Sequence, residues 1–116
     1  MLDGTERAED VRLKAYFWVA AYQRRCQAAG AFVAQSRRGD PSAGTIFIEV
    51  IHADGADLWG PAPGEGGRVF ECVLSKATSL DIHEKMEKEV AFDRDLWLIT
   101  VEDRAGRSFL EPDERV

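Results

Sequence analysis

Apolar residues recur at three- and four-residue spacings between Ala15 and Ala29. Ala15, Trp18, Val19, Tyr22, Cys26 and Ala29 form one stripe, while Gln23, Arg24 and Gln27 point away from it. That period predicts an amphipathic helix. Gly30 follows as its C′ residue, where a positive φ carries no Cβ penalty. The pattern then shortens. Ala31–Gln35 reads as a strand, and Arg37-Arg38-Gly39-Asp40-Pro41-Ser42-Ala43-Gly44 reads as a turn. Thr45–Ile51 alternates β-branched and aromatic residues and predicts the strongest strand, with Ile46, Ile48 and Val50 on its dry face. Asp54-Gly55 is a hairpin signal, and Leu58-Trp59 opens the returning strand.

Residues 60–67 (GPAPGEGG) are nearly all Gly and Pro and predict a mobile connection. Val69–Leu74 is a further strand. Asp81, with Glu84 three residues on, predicts a capped helix start; Ile82, Met86 and Val90 form its buried stripe. Asp81–Lys85, Glu84–Lys88 and Lys85–Glu89 stand at i,i+4 as opposite charges. Leu96–Val101 returns to strand, and a turn at Arg104-Ala105-Gly106 leads to a final short strand around Ser108–Leu110. Two helices and five or six short strands predict a single α+β domain with a mainly antiparallel sheet. The expected limits are a flexible N-terminus over 1–11, the domain over 12–110 and a flexible C-terminus over 111–116.

Composition narrows the class. The 116 residues are 45% hydrophobic and 31% charged, as in soluble globular domains. No stretch reaches the ~18–20 apolar residues of a membrane span. The acidic opening, MLDGTERAED, does not read as a secretory signal. Two cysteines, Cys26 and Cys72, are too few for a disulfide framework or a thiolate metal site, and are expected reduced and buried in a cytoplasmic protein.

The net charge of −6 argues against nucleic acid and anionic membranes as partners. It conceals a division. Arg12, Lys14, Arg24, Arg25, Arg37 and Arg38 occupy a block from 12 to 38 without a single acid, leaving nine basic and twenty-one acidic residues elsewhere, a balance of −12. Arg24 and Arg25 are explained either as the solvated, dipole-favoured end of a helix or as part of a site for an anion. Trp18 and Trp97 fall on apolar faces and belong to the core. Trp59, beside the Gly/Pro stretch, is a candidate partly exposed anchor for a partner.

No complete catalytic set emerges. The glycines of 60–67 are followed by no Lys-Ser/Thr and do not give G-x-G-x-x-G before a helix, so they hold no phosphate-loop signature. Asp40 and Glu49 fit two positions of a nuclease-like acid pair, but Ile51 stands where the lysine belongs. His52 and His83 match no metal or triad spacing. Asp93 and Asp95 flank Arg94 in a turn.

Several pieces together resemble a known family. Trp18-Val19-Ala20-Ala21 leading to Arg24-Arg25, Gly30-Ala31-Phe32, and Arg37-Arg38-Gly39-Asp40 with Ala43-Gly44 resemble the start of the bacterial domain of unknown function 1491. Asp93-Arg94-Asp95-Leu96-Trp97, then Glu102-Asp103-Arg104 and Gly106-Arg107, resemble its closing segment, with Arg94 replacing a proline. The resemblance spans roughly residues 12–110. It implies a compact αβ domain of a bacterial cytoplasm and transfers no activity. The leading expectation is a non-enzymatic binding or accessory domain, compatible with a homodimer. Its basic surface (Arg24, Arg25, Arg37, Arg38, with Trp59) would meet an anionic partner, and no cofactor or metal is expected. The alternative is a small metal-dependent hydrolase or nuclease-like enzyme built on Asp40, Glu49 and His52.

Overall fold

The computed structural model describes residues 13–63 and 68–116. Helix α1 (Ala15–Ala28) is followed by β1 (Phe32–Arg37), β2 (Ile46–His52), β3 (Gly55–Pro61) and β4 (Phe70–Ala77). Helix α2 (Ser79–Phe92), β5 (Trp97–Glu102) and a 3₁₀ turn at Pro112–Glu114 complete the chain. The five strands form one sheet in the order β1-β5-β2-β3-β4. All neighbours are antiparallel except β2 and β5, which run parallel with Ile46 opposite Trp97 and Val50 opposite Val101. The fold is therefore α+β with a mostly antiparallel sheet. The parallel pair arises because β5 is reached through α2, and a crossover allows what a hairpin cannot.

Each face of the sheet carries its own helix. On one face, Trp18, Val19, Tyr22 and Cys26 of α1 pack on Ile46, Ile48 and Val50 of β2 and on Trp97, Ile99 and Val101 of β5. On the other, Ile82 and Met86 of α2 pack on Phe47, Leu58, Ala56 and Leu96. The strand expected to have one dry face is thus covered on both, and Glu49 is half-buried instead of solvated. Gly60 reflects the same crowding: a Cβ there would lie 2.7 Å from the ring of Phe47.

Several local expectations change. α1 ends as predicted, with Gly30 at φ 89°, but Ala29 is exposed and leaves the stripe. α2 begins two residues before Asp81. Thr78 is its N-cap: its Oγ1 accepts from the Asp81 N–H at 3.1 Å, and the Asp81 carboxylate accepts from the Thr78 N–H at 3.2 Å. Asp81 is therefore the reciprocal member of the capping box, a role its acidic side chain fills as well as Glu would. Of the expected i,i+4 pairs, Lys85–Glu89 forms at 3.0 Å. Cys72 is exposed on β4, whereas Cys26 is buried.

No strand forms at Ser108–Leu110. Phe109 takes φ 59°, which breaks extended geometry. Residues 103–116 instead fold back over the α1 side of the sheet. Positions 64–67 of the expected mobile connection, and the expected flexible residues 1–11, lie outside the described residues.

Candidate functional site

The four arginines do not share a surface. Arg24 is exposed on α1. Arg25 turns toward the C-terminal segment, where its guanidinium donates to the Phe109 carbonyl and to Glu114, both at 2.7 Å. Arg38 lies over the Trp97 ring, 5.8 Å from its centroid. Arg37, at the end of β1, faces the α2 side. A register shift between Gln35 and Arg37 sets Arg37 opposite Leu98, whose side chain packs with the α2-side core. A bulge commonly re-aims a side chain in this way.

Trp59 is half-buried on β3 and packs on the α1-side core. It borders a small hollow of ≈ 280 Å³ with Arg107, Phe109 and Arg115. Arg107 is already committed to Asp103, which is 8% exposed, through its backbone N–H at 2.7 Å, Nε at 3.1 Å and Nη2 at 2.7 Å. These bonds hold the Asp103 carboxyl below its ordinary range. Trp59 thus sits with structural cations, on the face opposite Arg37.

The residues of the metal alternative are also apart. Asp40 precedes β2 and accepts from the N–H groups of Ser42 and Ala43 at 3.1 and 2.7 Å, a turn-closing role. His52 ends β2, about 20 Å further along the strand at ~3.3 Å per residue. Its Nδ1 accepts from the Asp54 N–H at 3.1 Å, which leaves Nε2 to donate to Asp57 at 3.1 Å. Glu49 is on the other face from His52, as odd and even strand positions must be. Its carboxyl is raised by burial, and the Thr100 hydroxyl, donating at 3.2 Å, opposes that shift. Among the described residues, no three His, Cys, Asp or Glu side chains gather to hold a metal.

The opening that draws on both helix and sheet chemistry lies between α2 and the end of β1. It is a groove of ≈ 750 Å³ lined by Ser36 and Arg37 from β1 and by His83, Met86, Glu87, Val90, Ala91 and Arg94. His83, Glu87, Val90 and Arg94 recur at spacings of four, three and four, so α2 and its following turn present them along one flank. Met86 supplies an apolar floor shared with the core. Arg37 is clamped at one end by its Nη2, which donates to the Arg94 carbonyl at 2.7 Å. Among the described residues, Arg37 Nε is the buried side-chain polar atom that has no hydrogen-bond partner.

Ser36 connects the groove to a polar row across three strands: its Oγ lies 2.6 Å from Thr100 Oγ1, which donates to Glu49. Because the Thr100 proton goes to Glu49, Ser36 must be the donor in the first link. His83, Arg94 and Ser36 were not singled out as functional by the sequence. The available signal was the polar flank beside the Ile82–Met86–Val90 stripe, which reads equally well as a solvated helix face.

Comparison with known proteins agrees with this fold. No curated protein matches the chain. A crystal structure of a DUF1491 family protein from Caulobacter crescentus CB15 is similar with a TM-score of 0.79 and 29% identity, covering 90% of this chain and 97% of that one. A solution structure of a protein from A. tumefaciens is similar at 0.75 and 36%, covering 80% and 87%. An NMR structure of a DUF1491 family protein from C. crescentus CB15 gives 0.74 and 33%, covering 84% and 92%. A family model, described as a protein of unknown function (DUF1491), matches residues 13–111. With that match and those neighbours, the chain belongs to the DUF1491 family.

Proposed function

We propose that the chain is a non-enzymatic binding domain and that the groove between α2 and β1 receives an anionic group of its ligand, held by Arg37. The observation that carries this reading is the unpartnered Nε of Arg37. A buried N–H without an acceptor costs about 1–3 kcal/mol of desolvation. A carboxylate or phosphate oxygen placed beside it removes that cost through a charge-assisted hydrogen bond from the guanidinium. Arg94 adds positive charge at the groove, while Glu87 is engaged with His83 on α2. The scattered positions of Asp40, Glu49 and His52 support no hydrolytic centre. Free thiols at Cys26 and Cys72 fit a cytoplasmic setting, and among the described residues no helix is long and apolar enough to cross a membrane.

The test is a titration with inorganic phosphate and with succinate, followed by backbone amide shifts. Shifts are expected at Ser36, Arg37 and Arg94. Arg37→Gln should weaken binding about ten- to a hundredfold, since a hydrogen bond to a charged group contributes ~1.5–3 kcal/mol. Arg24→Gln should change it less than about twofold, because an exposed charge outside the groove acts only through a screened field. Equal losses in both variants, or no shift at the groove, would remove the assignment.

A further inference from the structure

We infer that the ligand of the groove is an extended acidic peptide that adds to the free edge of β1. This rests on the reading of Arg37 given above and extends it from an anionic group to a class of partner.

The two edges of the sheet are treated differently. The β4 edge is guarded. Its pairing with β3 is interrupted by register shifts, and Lys76 takes φ 50° near its end. The chain's last residues cover its start, where Arg115 bridges Phe70 and the Val116 N–H donates to the Phe70 carbonyl at 2.9 Å. Charges at Glu71 and Lys76 add to this. Charges, irregular pairing and covering segments are the usual ways in which a sheet edge is kept from pairing with another chain. The β1 edge has one register shift, beside its single charged residue, Arg37. Its sequence, FVAQSR, contains no proline, no acid and no lysine, and among the described residues it pairs with β5 alone. Among the described residues, no further strand lies on its outer side.

That edge also borders the groove. Phe32, Ala34 and Ser36 share the α2-side face of β1, and the bulge brings Arg37 to the same side. Phe32 is 63% exposed at one end, and Ser36 and Arg37 form the lip of the groove at the other. Two cations stand at the second end, Arg37 and Arg94, with Glu87 also on the groove wall. The acid nearest the first end, Glu102, pairs opposite Phe32. A strand laid on β1 would therefore meet an apolar position at Phe32 and a cationic one at Arg37, five residues on in β1 but, across the bulge, as far apart as Glu102 and Leu98 on β5, roughly 13 Å at ~3.3 Å per residue. The partner that fits carries an acidic and an apolar side chain four residues apart on one face. Main-chain bonds to β1 give affinity and the two side chains give selectivity, as in other strand-addition complexes.

The probes are two eight-residue peptides with Glu and Leu four residues apart, in either order, because parallel and antiparallel addition reverse that order. A third carries N-methyl groups on alternate amides of the better binder. With the full chain, one order is expected to bind, and its binding should slow hydrogen exchange at amides of β1. Arg37→Gln should weaken it at least tenfold and Phe32→Ala a few-fold, with circular dichroism confirming that both variants fold. N-methylation, which needs no change in the protein, should also cost at least tenfold. If the N-methylated peptide binds equally well while phosphate still shifts the groove, strand addition is wrong and the anion reading survives. If neither peptide nor phosphate shifts the groove, both fail. If sedimentation shows the chain pairing with itself through β1 and the peptide does not compete, the occupant is a second copy and the inference is overturned.

Discussion

The two helices are the same length, fourteen residues each, and cover opposite faces of one sheet, yet they do different work. α1 buries Ala15, Trp18, Val19, Tyr22 and Cys26, and α2 buries only Ile82 and Met86. On the α1 side the aromatic rings pack on one another and the polar groups are matched. The Trp18 ring centroid lies 5.0 Å from that of Tyr22, stacked on it, and 5.2 Å from that of Phe70, tilted against it, and the Tyr22 hydroxyl donates to the Ser108 carbonyl at 2.5 Å. Glu114 accepts from Arg25, from Trp18 Nε1 at 3.2 Å and from the Glu111 N–H at 2.8 Å. On the α2 side an open groove, an unpartnered guanidinium N–H and an exposed Phe92 remain. A small domain has limited apolar surface with which to hold itself together. Here that surface is concentrated on one face, which leaves the other able to keep a costly polar group and an open edge.

The largest expected effect separates the two faces directly. Phe70 is almost completely buried beneath Trp18, so Phe70→Ala should destabilise by about 3–5 kcal/mol through lost burial and a residual cavity. In a domain of this size that corresponds to a fall in Tm well beyond about 10 °C. Phe92 is 92% exposed, and Phe92→Ala should stay within about 0.5 kcal/mol. Urea denaturation of both variants checks the contrast, and comparable losses would mean that the α2 side contributes as much to stability as the α1 side.

Next in size is the clasp between α1 and the C-terminal segment. Burial alone would raise the Glu114 carboxyl, but hydrogen bonds from Arg25, the Glu111 N–H and Trp18, with the Arg25 charge, outweigh it and hold the group below its ordinary range. Side-chain exposures of 31% for Arg25 and 16% for Glu114 place the pair between surface and core. Glu114→Gln should therefore cost about 1–2 kcal/mol at pH 7, less than a fully buried pair would. The sign with pH follows from the lowered value. The unfolded chain takes up the proton first, near the ordinary ~4.3, so the contribution is complete above that pH and is lost as pH falls through the folded value. The gap between wild type and Glu114→Gln should narrow below about pH 4. A gap independent of pH would mean that the clasp acts by packing alone.

Local features of this fold were legible because they depend on near neighbours. The stripe of α1, the alternation of β2 and the positive φ of Gly30 are set within a few residues. Thr78 was missed as the cap of α2 because Thr78 and Asp81 are both capping residues, and only the backbone decides which is N-cap and which is N3. The remaining misses are long-range. The tail EPDERV reads as a polar end, yet Glu114 is matched to Arg25 across 89 positions. The parallel pairing of β2 with β5 depends on where α2 lies. Arg37 and Arg38 are indistinguishable by composition, and a single bulge sends one into the groove and the other onto Trp97. The acid-free block of sequence includes Arg37, which lines the groove, but its arginines do not form one surface.

The smallest expected effect is the most informative about Arg37. If its Nε is kept unpartnered for a ligand, then removing the guanidinium should cost the free protein little. Arg37→Met keeps the long apolar stem, which can pack against Met86 and Val90 at the groove, and removes both the buried N–H and the one bond to the Arg94 carbonyl. The lost bond, from a charged donor, is worth about 1.5–3 kcal/mol and the relieved desolvation about 1–3 kcal/mol, so the two roughly cancel and the net change should lie near zero. Sites held ready for a ligand commonly show this trade between stability and function. Chemical denaturation of Arg37→Met beside Arg25→Met distinguishes the two faces. The first should match wild type closely, and the second should lose stability because Glu114 is left half-buried without its charge partner. A loss of more than about 2 kcal/mol in Arg37→Met would make that arginine a structural element of β1, and the asymmetry between the two faces would no longer hold.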